Sequence, residues 1–144
     1  MKRITLLALA IFSIMPMTLK SQTTIRQKDQ WGAKLYYVDA TNTMRMKDQW
    51  GAKLYYFDGR TIRQKDQWGE KIFYMDGNTV RMKDQWGEKV LYFDGTTIRL
   101  KDQWGEKLYY LDGKTLRIKD QWGAPVYYFE GGIPEKWMIV CIIA

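Results

Sequence analysis

The chain has no histidine at all, a single cysteine, Cys141, and no serine beyond Ser21. Without histidine it lacks the commonest general base and the commonest metal ligand. One cysteine and no histidine leave no thiol dyad, and the serine shortage leaves no Ser-based triad. An internal disulfide framework is equally impossible with one cysteine, which is expected to be a small buried apolar residue. Walker-type, dinucleotide-binding and zinc-spacing motifs are missing too. No cofactor is implied. No apolar run, the N-terminal one included, is long enough to cross a bilayer comfortably as a helix, which takes roughly 20 residues.

That N-terminal run has a targeting signature. Lys2 and Arg3 precede an almost unbroken apolar stretch from Ile4 to Met15, Pro16 ends it, and Lys20-Ser21-Gln22 are polar. This pattern predicts a secretory signal peptide over residues 1–21, cleaved after Ser21 or Gln22, and hence a periplasmic, cell-surface or extracellular destination. Removing Lys2, Arg3 and Lys20 takes the 23 cationic residues to 20 against 16 anionic ones, so the net charge of +7 falls to +4. The remaining charge is evenly mixed along the chain. It does not form a nucleic-acid footprint.

What fills the rest is a repeat, and all seven tryptophans, all ten tyrosines and four of the five phenylalanines sit within it or at its end. Trp31, Trp50, Trp68, Trp86, Trp104 and Trp122 are spaced 19, 18, 18, 18 and 18 apart. Aligned on them, residues 22–132 hold six copies of W-G-[AE]-K-Φ-Y-Y-Φ-D-G-x-T-Φ-R-Φ-K-D-Q, where Φ is mostly apolar. The additional residue lies in Ala40-Thr41-Asn42. Each unit carries two strand signals: an aromatic one such as Lys53–Phe57, and an alternating one such as Thr61–Lys65. Asp58-Gly59 separates them, as Asp76-Gly77, Asp94-Gly95 and Asp112-Gly113 do elsewhere, and Asp-Gly between strands is a strong hairpin marker. A two-residue Asp-Gly turn would place Tyr55, Phe57 and Ile62 on one face and Leu54, Tyr56, Thr61 and Arg63 on the other. A three-residue turn would exchange the first strand's faces. In both registers Ile62 faces inward and Arg63 outward.

The predicted fold is therefore all-β: tandem 18-residue β-hairpins stacked into a solenoid or elongated meander, with a parallel two-sided β-roll as the alternative. One hairpin is marginal alone, so neighbouring copies must bury each other's faces, and the ends of such a stack need caps. Residues 133–144 are expected to form an apolar C-terminal cap. Met138–Ala144 is read as a final strand, and Trp137–Ala144 as a possible contact with a protein partner. No helical period is visible outside the N-terminal run.

Chemically, the aspartates recur at the same two repeat positions. Turn formation is a sufficient cause for one of them, and a catalytic carboxylate pair is normally singular. A calcium β-roll is disfavoured because Lys or Arg accompanies every Asp, and an ice-binding surface because the Thr column alternates with Arg. Catalysis and a metal site are thus not expected. The best candidate surface is the outer rows of Tyr56, Tyr74, Tyr92 and Tyr110 with Arg63, Arg81, Arg99 and Arg117. Tyrosine offers a flat apolar face with a hydroxyl, and arginine adds planar donors for carboxylate or phosphate. Such rows would suit a repeating polymer, such as a glycan or acidic polysaccharide, through multivalency. The Trp column is assigned to structural packing.

The run Trp-Gly-Glu-Lys-Leu-Tyr-Tyr-Leu-Asp-Gly at residues 104–113 resembles the cell-wall-binding (choline-binding-type) repeats of bacterial surface proteins. That resemblance implies hairpins stacked as a solenoid and a non-catalytic binding array at the cell envelope. Those repeats build cation pockets from several aromatics of adjacent units. Here each unit has one Trp, and the Thr-Φ-Arg-x-Lys-Asp strand differs, so the resemblance does not extend to choline.

Overall fold

A computed structural model describes residues 22–144; the segment read as a signal peptide lies outside the described residues. Twelve antiparallel strands follow one another: β1 (Thr23–Gln27), β2 (Lys34–Val38), β3 (Thr43–Met46), β4 (Lys53–Phe57), β5 (Thr61–Gln64), β6 (Lys71–Asp76), β7 (Thr79–Met82), β8 (Lys89–Asp94), β9 (Thr97–Leu100), β10 (Lys107–Asp112), β11 (Thr115–Ile118) and β12 (Pro125–Glu130). One helix, α1 (Lys136–Ile143), ends the chain. The all-β hairpin repeat is as the pattern predicts. The solenoid and the open meander are not: each strand pairs with its neighbours in sequence, and β12 pairs with β1, closing a barrel. The parallel β-roll is excluded by the same antiparallel ladders.

Closure follows from where the repeat is cut. Among the described residues the repeat starts with only the second strand of a hairpin and finishes its sixth copy with only the first. Joined, the halves make a sixth hairpin, with Ile25 opposite Phe129 and Arg26 opposite Tyr128. Glu130 stands where the other hairpins have Asp, and takes Arg26 Nε at 2.6 Å. The equivalent pairs inside the chain, such as Arg63 with Asp58 at 3.1 Å, are formed within one continuous hairpin. A barrel has no edge to protect, so the end caps of a stack are unnecessary.

The Asp-Gly turns are tight but shifted relative to the simplest expectation. In the β6–β7 hairpin Asp76 pairs with Thr79, which leaves Gly77-Asn78 as the two turn residues. Gly77 occupies the first of them at φ +62°, as a type II′ turn requires. In β4–β5 Phe57 lies opposite Ile62 and Tyr56 opposite Arg63. The register moves by two residues from Phe57-opposite-Arg60, so the faces stay unchanged. Tyr55, Phe57 and Ile62 point in, and Tyr56 and Arg63 point out.

The inward side chains form two tiers. Near the Asp-Gly end lie Val38, Phe93 and Phe129 with their cross-strand partners Met44, Ile98 and Ile25, all buried. Toward the other end follow Tyr36, Tyr55, Phe73, Leu91, Tyr109 and Tyr127. Twelve strands about 4.8 Å apart, tilted near 40°, make a wall roughly 24 Å across. Side chains fill an eight-stranded barrel but leave room here for a helix about 10 Å wide. α1 occupies that room. Trp137, Met138, Ile139, Val140 and Cys141 are all buried, and the helix is apolar on every side, as an enclosed helix must be. It enters at the Asp-Gly end, where Lys136 Nζ donates to Asn78 Oδ1 at 2.6 Å. Trp137 stacks on Phe57 with 5.2 Å between ring centroids. One turn further on, Cys141 lies beside Tyr55, whose hydroxyl pKa is raised by burial and by its Cys141 and Tyr36 neighbours. The final strand predicted for Met138–Ala144 is thus a helix, because the enclosed lumen offers it apolar contacts on all sides and no unpaired strand edge.

Candidate functional site

The second connection in each unit, between the short strand and the next long one, builds the most conspicuous surface of the molecule. In the loop from β5 to β6, Lys65 adopts a left-handed conformation at φ +69°. Asp66 Oδ1 then accepts the Trp68 backbone N–H at 3.0 Å, and the Asp66 carbonyl accepts from Gly69 N at 2.9 Å. A Cβ on Gly69 would sit 1.6 Å from the Gln64 carbonyl oxygen, so only glycine permits this close approach. The loop is therefore rigidly specified by Asp and Gly, and Trp68 is left at its tip. All six equivalent indoles, on Trp31, Trp50, Trp68, Trp86, Trp104 and Trp122, are 83–84% exposed. This overturns the assignment of the Trp column to packing. The indole is not needed for the turn, which the flanking Asp and Gly hold, and the core is already filled from the other face of the strands.

Beside these loops, shallow clefts open on the outer wall. One of about 250 Å³ is lined by Trp68, Asp66 and Gln67 of one loop and by Thr43, Lys53 and Tyr56 of the preceding strands. A second of about 330 Å³ lies between Trp31, Gln30, Arg26, Tyr128 and Glu130, across the barrel closure. A third of about 280 Å³ is lined by Trp50, Tyr37, Thr24, Lys34, Lys47 and Asp48, with Gln49. Each joins an exposed indole and a tyrosine to an amide, a carboxylate and a cation. Flat apolar faces beside convergent hydrogen-bonding groups can hold a ring with apolar faces and polar edges, such as a sugar.

The candidate rows divide accordingly. Tyr56, Tyr74, Tyr92 and Tyr110 are half-buried on the outer wall, and Tyr56 lines a cleft. Arg63, Arg81, Arg99 and Arg117 also face outward but are committed to the fold. Their Nε atoms lie 3.1, 3.1, 3.1 and 3.2 Å from Asp58, Asp76, Asp94 and Asp112. Their Nη1 atoms donate to the carbonyls of Gly69, Gly87, Gly105 and Gly123 at 3.0–3.1 Å. Each arginine thus ties its hairpin turn to the next Trp loop. The Asp58 carboxylate responds to its turn. Burial pushes Asp58 up, but the Thr61 and Arg60 backbone N–H groups and Arg63 outweigh it and hold the carboxyl below its ordinary 3.8. The sequence reading misses the tryptophans as candidates; the one signal that points to them is their place in a Gly-closed Asp-Gln-Trp-Gly turn.

Among the described residues, no three His, Cys, Asp or Glu side chains come together so as to hold a metal ion. No described helix is long and apolar enough to cross a membrane. The strands are four to six residues long, about half the length a membrane-spanning strand requires. The segment offered as a protein contact is mostly inaccessible: Trp137 to Cys141 are buried in the lumen, Ile142 and Ile143 are half-buried, and Ala144 is exposed. No family model, no curated protein and no solved structure matches the chain.

Proposed function

We propose that this is a non-catalytic, exported repeat protein that binds a polymeric ligand, a glycan or related envelope polymer, at the cell envelope. The observation that carries the proposal is the ring of six almost fully exposed tryptophans, three of them shown above to flank clefts with Tyr, Gln and a charged pair. Leaving an indole in water has no folding benefit, so six copies of that exposure point to an occupant. Repeated subsites on one rigid ring would raise overall retention through multivalency. Export rests on the N-terminal pattern, and the envelope on the resemblance of residues 104–113 to cell-wall-binding repeats. Catalysis is not part of the reading, because the recurrent carboxylates serve turns and arginine pairs.

Retention of the mature chain on immobilised glycans and purified cell-wall polymer tests this. Trp→Ala changes at one, three and six of the exposed positions should weaken retention stepwise while the barrel stays folded. A six-fold variant retained as well as the parent would defeat the reading. The alternative, a structural module docking through residues 133–144, would require α1 to leave the lumen, since its apolar side chains are enclosed.

A further inference from the structure

The six copies differ at one position of the Trp loop, and ring closure sorts the difference. The residue after Trp-Gly is Ala33, Ala52 and Ala124 in three copies, and Glu70, Glu88 and Glu106 in the others. All six are exposed. Along the sequence the alanines are split between the two ends. In the barrel, where β12 pairs with β1, they occupy three consecutive loops, and the glutamates occupy the other three.

Charge follows the same division. Residues 28–34 and 47–53 each carry two lysines against one aspartate, and 119–125 one lysine against one aspartate. In 65–71, 83–89 and 101–107, two lysines face an aspartate and a glutamate, so each of these loops is neutral. The alanine side of the ring therefore keeps an excess of two positive charges that the glutamate side has cancelled. The three clefts described above border this side. Each leans against the long strand of the preceding copy, so the cleft at Trp50 is lined by Lys34, which follows Ala33, and the cleft at Trp68 by Lys53, which follows Ala52. The cleft at Trp31 lies against β12, which begins after Ala124. At Trp86, Trp104 and Trp122 the corresponding neighbours are Glu70, Glu88 and Glu106.

We infer that the ring has a binding side, the three adjacent clefts at Trp31, Trp50 and Trp68, and that its ligand is an acidic polysaccharide of the uronic-acid class. This rests on the polymer-binding reading above. Adjacent clefts are two strands apart, roughly 12 Å around a wall of that width and tilt, a step that a few sugar rings can span. Sugar rings stack on the indoles and tyrosines, while Lys34, Lys47 and Lys53 meet carboxylates. On the opposite side Glu70, Glu88 and Glu106 repel the same chain.

The test exchanges the two sides' residues. Glu is already accommodated at this backbone position in three copies, so Ala33→Glu, Ala52→Glu and Ala124→Glu together should leave thermal stability unchanged. Affinity for polygalacturonate should fall about tenfold at low salt, given a few tenths of a kcal/mol for each exposed charge, and the difference should shrink as salt rises. Affinity for uncharged dextran should not change. The converse triple, Glu70→Ala, Glu88→Ala and Glu106→Ala, should bind polygalacturonate at least as well as the parent. Equal polygalacturonate affinity in both triples would overturn the inference. Retention of neutral glycans alone by the parent would overturn it while leaving the polymer-binding reading standing, and retention of no polymer would remove both.

Discussion

Seven tryptophans divide into two physical classes, and the division can be measured. Trp137 is 1% exposed and stacked on Phe57 inside the lumen, whereas Trp68 is 84% exposed. Trp137→Ala deletes a large side chain from a packed interior with backbone on all sides, so the cavity cannot collapse fully. Such truncations cost about 3–5 kcal/mol. Against a total stability of about 5–15 kcal/mol, that is a large share. At roughly 4 °C per kcal/mol for a domain of this size, the melting temperature should fall by about 12–20 °C. Trp68→Ala removes an indole that the fold does not use and should stay within about 0.5 kcal/mol, or ~2 °C. Thermal unfolding followed by circular dichroism, checked by urea titration, reads both. A Trp68→Ala loss as large as that of Trp137→Ala would refute the assignment of the exposed column to binding. A Trp137→Ala loss below about 1 kcal/mol would refute an enclosed, well-packed α1.

Three other outcomes follow from the geometry. Gly69→Ala drives a methyl group into the Gln64 carbonyl and should cost over about 2 kcal/mol, while Gly77→Ala, with open space but φ +62°, should cost about 1–2 kcal/mol; urea midpoints compare them. Asp58 titrates below 3.8 in the folded state, so its contribution is complete above that pH and is lost as pH falls through the lower folded value. The stability advantage of the parent over Asp58→Asn should accordingly shrink on acidification below 3.8, measured by urea unfolding at each pH. Cys141 is buried and its thiol pKa is pushed far up by desolvation. Alkylation near pH 8 should proceed only in denaturant, followed by mass spectrometry.

Much of the fold is visible in the chain, and the rest is hidden for definite reasons. The Asp-Gly turns and the alternation at Thr61-Ile62-Arg63 place hairpins and faces correctly, because they act over a few residues. Closure is a property of the whole ring, and an identical unit repeated six times fits an open stack as well as a circle. The clue lay in the ends: a lone second strand at Thr24-Ile25-Arg26 and a lone first strand at Val126–Phe129 complete each other. The helix is not legible because an apolar run such as Met138–Ile143 has no periodicity to distinguish helix from strand; only the width of a twelve-stranded lumen decides. Arg63 reads from sequence as a free outward donor, yet Asp58 and Gly69 take it. Trp68 reads as core because aromatic residues usually are, yet it sits where Lys65 turns left-handed, a conformation that no residue-type preference announces.

Through-space contacts between β1 and β12 test the closed ring most directly. In the parent protein, nuclear Overhauser spectra should show backbone cross-strand contacts joining Ile25 with Phe129 and Arg26 with Tyr128, at the usual spacing of paired strands of about 5 Å. An open array of twelve strands would hold those segments about 50 Å apart, and the absence of these contacts in a folded, monomeric sample would contradict the barrel.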